Sequence, residues 1–131
     1  MQLTAFHGGQ GPNQNSIGLE VINASKYGAP SKQYKPGSRR QMEATWRLVK
    51  KIVKAGDPKI PVAFVAAAGS EYNWKKSALR PGIHAHGMQN NTSHSDGKFP
   101  VLYMSLRNKG IGTGEAYKKA WEIFSTKSGV P

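Results

Sequence analysis

The chain has 131 residues, of which 19 are Lys or Arg, 7 are Asp or Glu and none is Cys. This length predicts one domain with a modest core, and the formal net charge of +12 indicates a polyanionic partner. The absence of Cys excludes a disulfide scaffold, a thiol nucleophile and Cys-ligated metal sites. No apolar run is long enough for a membrane helix and Met1–Gly11 lacks the features of a signal peptide, so we expect a protein that is not secreted and contacts no membrane.

The N-terminal region is predicted to contain an arm followed by a β-hairpin. Residues 1–15 form the arm, because this stretch is rich in Gly, Gln and Asn and has no charged residue; residues 16–131 form a single basic α+β domain. Apolar residues then alternate with other residues at Ile17, Leu19 and Val21. This pattern predicts a strand over 16–22, and residues 31–34 are expected to return as its partner.

A strongly amphipathic helix is predicted over residues 38–55. Ser38 and Gln41 match a capping box, and Gly56 and Pro58 provide a stop signal. The helix has a stripe of apolar residues at helical spacing, namely Met42, Trp46, Val49 and Val53. With Leu48 and Ile52 included, the apolar arc covers about 160°, whereas the cationic residues fall within a separate arc of about 120°.

The second half of the chain is predicted to supply two more strands and one more helix. The apolar runs Ile60–Ala67 and Phe99–Leu106 both favour buried strands, which brings the expected number of short strands to about four. For the first run, the alanines at positions 66–68 leave a helix as the alternative. A second amphipathic helix is predicted over 113–127, capped by Thr113. A long polar connection over 81–98 separates the two runs, and the domain is expected to be rich in loops.

Positive charge is concentrated in residues 26–54, and this region is the first candidate site. Nine basic residues and one acid, Glu43, give this stretch +8 of the total +12. Phosphate backbones are bound by several cations at spacings that a helix can supply. The predicted nucleic-acid-binding residues are Lys26, Lys32, Lys35, Arg39, Arg40, Arg47, Lys50, Lys51 and Lys54, together with the second cluster Lys75 and Lys76. Glu43 stands four residues before Arg47 and is expected to pair with it.

Three histidines are the other residues that could bind a metal or take part in a reaction. His84 and His86 would point to one side of an extended segment, and His94 or Asp96 could complete a metal site. The same histidines could act as acid and base on a phosphodiester. An exposed loop with incidental histidines is the third interpretation and the one we favour, so no catalytic residue, metal or cofactor is predicted.

Two stretches of the chain resemble small basic structural proteins of viruses. The Gly-containing segment 26–28, the link Lys35–Ser38 and the helix start Arg39-Arg40-Gln41 are similar to short bacteriophage proteins. The segment 106–114 with the aromatic helix that follows looks like the C-terminal half of coat proteins from filamentous archaeal viruses. The resemblance implies a virion or nucleoprotein role, with localisation in a virion or the host cytoplasm.

These observations predict a non-enzymatic structural protein associated with nucleic acid, DNA or RNA, without sequence preference. As a virion or capsid component it would act in many copies, with copies of itself or other virion proteins as partners. An uncharged arm suits contacts between copies because it adds no repulsion. The alternatives are a small basic nuclease that uses His84, His86 and His94, and a ribosome-like RNA-binding protein.

Overall fold

The described part of the chain is helical. The structure is a computed structural model that describes residues 16–21, 37–56, 60–62, 64, 81–86 and 97–127. Its helices are α1 (Arg39–Ala55), α2 (Lys98–Asn108) and α3 (Thr113–Lys127). α2 packs most extensively against α3, and α1 contacts both.

The prediction of an α+β fold with about four strands is wrong for the described residues. Within the described ranges, the only β pairing is an isolated parallel bridge between Phe64 and Ile83. Residues 16–21 form no strand, and neither do residues 60–62. Alternation of apolar residues cannot by itself supply a partner strand, and a strand needs one to satisfy its backbone. The predicted strand 31–34 and the arm 1–15 lie outside the described residues.

The segment Phe99–Leu106, which was predicted to be a strand, forms most of α2. The side chains from Val101 to Leu106 are all buried, and so is Phe99. A helix buried on all sides shows no 3.6-residue period, so an apolar run of this length cannot be distinguished from a buried strand by periodicity. Pro100 is compatible with the helix because it lies in the first turn, where the backbone N–H has no intrahelical acceptor.

Both predicted amphipathic helices are confirmed. Ser38 is the N-cap of α1, and its hydroxyl accepts a hydrogen bond of 3.1 Å from the backbone N–H of Gln41. α1 ends before Gly56, which has extended rather than left-handed backbone angles. α3 begins at Thr113, but the residue before the helix is Gly112, whose carbonyl accepts the first helical hydrogen bond from Ala116.

An aromatic cluster between α2 and α3 forms the centre of the core. The Phe99 ring is 5.5 Å from the Tyr117 ring and 5.7 Å from the Phe124 ring between centroids, in edge-to-face arrangements. Trp121 is 6.2 Å from Phe99. α1 adds Met42 and Trp46 to the same core. The core therefore fixes α1 by one side and leaves its opposite side to solvent.

Candidate nucleic-acid interface

α1 displays its cations on the side opposite the core. Its buried residues are Met42, Thr45, Trp46, Val49 and Val53. They cover about 100° of the helix circumference. Leu48 was predicted to belong to the apolar side but is 45% exposed. The side that faces away from the core is here called the cationic face, and it consists of the exposed residues Arg39, Arg40, Arg47, Lys50, Lys51 and Lys54.

The only acidic residue of α1 is bound to α2 rather than to a neighbouring cation. The Glu43 carboxylate accepts hydrogen bonds from Arg107 Nε at 2.9 Å and from Arg107 Nη2 at 3.0 Å. The Tyr103 hydroxyl donates a third hydrogen bond at 2.6 Å. The predicted pair with Arg47 is therefore replaced by a two-pronged ion pair with Arg107, and Arg47 acts on Glu43 only through its charge.

These contacts keep Glu43 ionised. The hydrogen bonds from Arg107 are the main reason that its pKa falls from 4.5 to about 2; burial opposes this shift, and the Tyr103 hydrogen bond adds to it. Burial is also the main reason that the pKa of Tyr103 is raised, and the hydrogen bond to Glu43 raises it further. The negative charge of Glu43 is thus matched by Arg107, which leaves the cationic face with six positive charges and no partner acid on its own helix.

Two residues of the cationic face lie close to other groups of the molecule, one on α1 itself and one on α3. Lys50 Nζ lies 5.2 Å from the centroid of the Trp46 ring, a cation–π distance. Arg39 lies beside the first turn of α3, because a Cβ added to Gly114 would be 3.2 Å from Arg39 Nη1. Both side chains remain exposed, so their charge is accessible to a partner.

The remaining predicted binding residues cannot be added to this face. They lie outside the described residues and are Lys26, Lys32, Lys35, Lys75 and Lys76. The sequence also did not predict Arg107 and Tyr103 as partners of Glu43. They are four residues apart, which makes them neighbours on one face of a helix, whereas in a strand they would be about 13 Å apart. The mistaken strand prediction for Phe99–Leu106 therefore concealed that both could reach one carboxylate.

The histidines do not form a recognisable site in the described part of the chain. His84 and His86 are both half-buried and flank the buried Ala85. Among the described residues, no group of three or more His, Cys, Asp or Glu side chains is placed to hold a metal ion. His94 and Asp96, the other members of the predicted cluster, lie outside the described residues.

Comparison with known proteins adds no relative. No protein-family model, curated protein or solved structure matches this chain. Among the described helices, none has the length and apolar character needed to cross a bilayer. The interpretation of function therefore rests on the physical properties of α1 and its surroundings.

Proposed function

We propose that the protein is a non-enzymatic structural protein that binds nucleic acid through the cationic face of α1 and acts in many copies, as a virion component would. The observation that carries the proposal is the one-sided display of six cations on a helix whose only acid is bound elsewhere. Evenly mixed charges are typical of a surface that serves solubility alone, and this surface is not mixed.

The physical basis of binding would be the neutralisation of phosphates. A 17-residue helix is about 25 Å long, and its cations extend over most of that length. Each cation that meets a phosphate releases condensed counterions, so affinity depends steeply on salt. Arg and Lys contacts of this kind carry no sequence information, which fits binding along the whole of a packaged nucleic acid.

Action in many copies is supported by apolar side chains near the N-terminal arm. Ile17 is 66% exposed and Leu19 is 44% exposed. Residues 1–19 contain no charge, so contacts between copies through this region would not add to the repulsion between cationic domains. Light scattering with and without nucleic acid tests this part: particles or filaments that form only with nucleic acid are expected, and a monomer in both conditions would contradict it.

Charge removal at the cationic face tests the binding itself. We expect Arg40→Gln, Arg47→Gln and Lys51→Gln together to reduce the log–log salt slope on duplex DNA by about 2.7 and to weaken binding more than about 100-fold near 100 mM salt. The wild-type protein should lose roughly a thousandfold or more in affinity between about 50 and about 200 mM salt. Circular dichroism should be unchanged, because the three side chains point away from the core.

A matched control separates position from net charge. Lys109→Gln, Lys118→Gln and Lys119→Gln also remove three positive charges from exposed side chains, but these residues follow α2 or lie on α3. This variant should keep most of the wild-type affinity. Equal losses in both variants would mean that net charge alone attracts the nucleic acid, and a salt slope near zero in the wild type would contradict the proposal.

A further inference from the structure

The aromatic rings of the described residues are engaged in packing, and this limits the form of nucleic acid that α1 can bind. Trp46, Phe99, Tyr103 and Phe124 are buried. Phe64, Tyr117 and Trp121 are half-buried and pack against the core. Within the described ranges, therefore, no Phe, Tyr or Trp side chain is exposed.

Trp46 is the aromatic residue of α1 and lies beside the cationic face. The residue is 4% exposed; Lys50 Nζ lies over its ring at 5.2 Å from the centroid, and the Phe64 ring centroid lies 6.1 Å away. A base that stacked on Trp46 would have to displace either the Lys50 ammonium or the packed core. The Trp46 ring is thus unavailable to a nucleobase.

Proteins that bind single strands combine a basic groove with aromatic platforms on which unpaired bases stack. Among the described residues, the cationic face has the charge but no exposed aromatic ring beside it, and it is the convex outer surface of a helix. A duplex hides its bases in the stack and presents phosphates at about one charge per 1.7 Å of axis, nearly twice the density along one strand. A rigid row of cations without stacking rings matches the duplex.

We infer that the cationic face of α1 is specific for the backbone of double-stranded nucleic acid and discriminates against single strands. This inference rests on the proposed function, since it specifies the form of nucleic acid bound at the same surface. The recognised chemistry is the phosphate array of a duplex, which DNA and RNA duplexes share. Binding would be insensitive to base sequence in either duplex.

Fluorescence anisotropy with the full chain tests the inference. The probes are a mixed-sequence DNA duplex of about two helical turns, an RNA duplex of the same sequence, one separated DNA strand, and oligo-dT of the same length. At about 100 mM salt we expect both duplexes to bind at least tenfold more tightly than either single strand. The two duplexes should agree within about fivefold.

The outcomes distinguish the inference from the proposed function. Salt-dependent binding in which single strands equal or exceed duplexes would overturn the inference and leave the proposed function standing. The absence of salt-dependent binding to any probe would overturn the proposed function. Strong preference for one duplex over the other would overturn recognition of a shared backbone.

Trp46→Leu provides a second test that removes the aromatic ring and keeps a large apolar side chain in the core. If Trp46 is only a core residue, affinity for single strands and for duplexes should each stay within about twofold of wild type at temperatures where circular dichroism shows the variant folded. A selective loss of more than about fivefold for single strands, with duplex binding retained, would show that Trp46 stacks on bases and would overturn the inference.

Discussion

The helices α1 and α2 differ in how their side chains meet solvent, and the difference explains which parts of the fold the sequence revealed. α1 has one buried side and one exposed, charged side, so its period is visible in the sequence. α2 lies against both other helices, and its residues from Val101 to Leu106 are buried in succession. An element that is covered on every side has no polar side chains to mark its period.

The largest effect on stability is expected when a core side chain of α2 is truncated. A truncation on the exposed side of α1 provides the comparison. Phe99→Ala should reduce the free energy of unfolding by about 3–5 kcal/mol, because the ring is 1% exposed and contacts three other aromatic rings. Leu48→Ala should cost less than about 1 kcal/mol, since Leu48 is 45% exposed. Urea unfolding measures both, and comparable losses would mean that Leu48 is covered in solution.

The next effect concerns the ion pair that joins the two helices. Glu43→Gln should lower the free energy of unfolding at neutral pH by about 2 kcal/mol, because Arg107 then faces a neutral side chain in a site that is largely closed to solvent. Glu115→Gln is the matched control, because the pair of Glu115 with Lys119 is exposed and should contribute only about 0.3–0.5 kcal/mol.

The same substitution predicts a pH dependence with a definite sign. The pKa of Glu43 is lowered in the folded state, to about 2 from 4.5. Its contribution to stability is therefore complete above the unfolded value and is lost as the pH falls from about 5 towards about 2. The stability difference between wild type and Glu43→Gln should close over this range. A difference that stays constant with pH would mean that Glu43 contributes through packing alone.

The smallest effects on stability are expected at the N-termini of α1 and α2. Ser38→Ala should cost about 1 kcal/mol, because it removes the side-chain cap of α1. Gly97 is the N-cap residue of α2 and has a φ of 87° and no side-chain cap, and an added Cβ would lie 3.2 Å from the backbone nitrogen of His86. Gly97→Ala should therefore cost somewhat more, about 1–2 kcal/mol. Thermal melts compare the two, and a neutral Gly97→Ala would show that the left-handed backbone there is not required.

In the candidate site, too, some features could be predicted from residue spacing, whereas others depend on how the helices pack. The six cations of α1 were predictable because their spacing alone places them on one face. The partner of Glu43 was not, because Arg47 and Arg107 are both plausible cations and only the packing of α2 on α1 brings Arg107 within 2.9 Å. Likewise, the spacing of Trp46 and Lys50 places them side by side on α1, but only the fold brings Phe64 against the Trp46 ring.

Arg107 also links all three described helices, which has a consequence for a force applied to α1. Its guanidinium holds Glu43 of α1 and, through Nη1, the carbonyl of Ile111 at 2.7 Å in the turn that leads to α3. Apolar packing resists the separation of helices but is non-directional, so it offers less resistance when one helix slides along another. Hydrogen bonds are directional, and these would break under such sliding. A pull on α1 along its axis would therefore load the hydrogen bonds that Arg107 and Tyr103 donate to Glu43, and Arg107 would pass part of that force to the turn before α3.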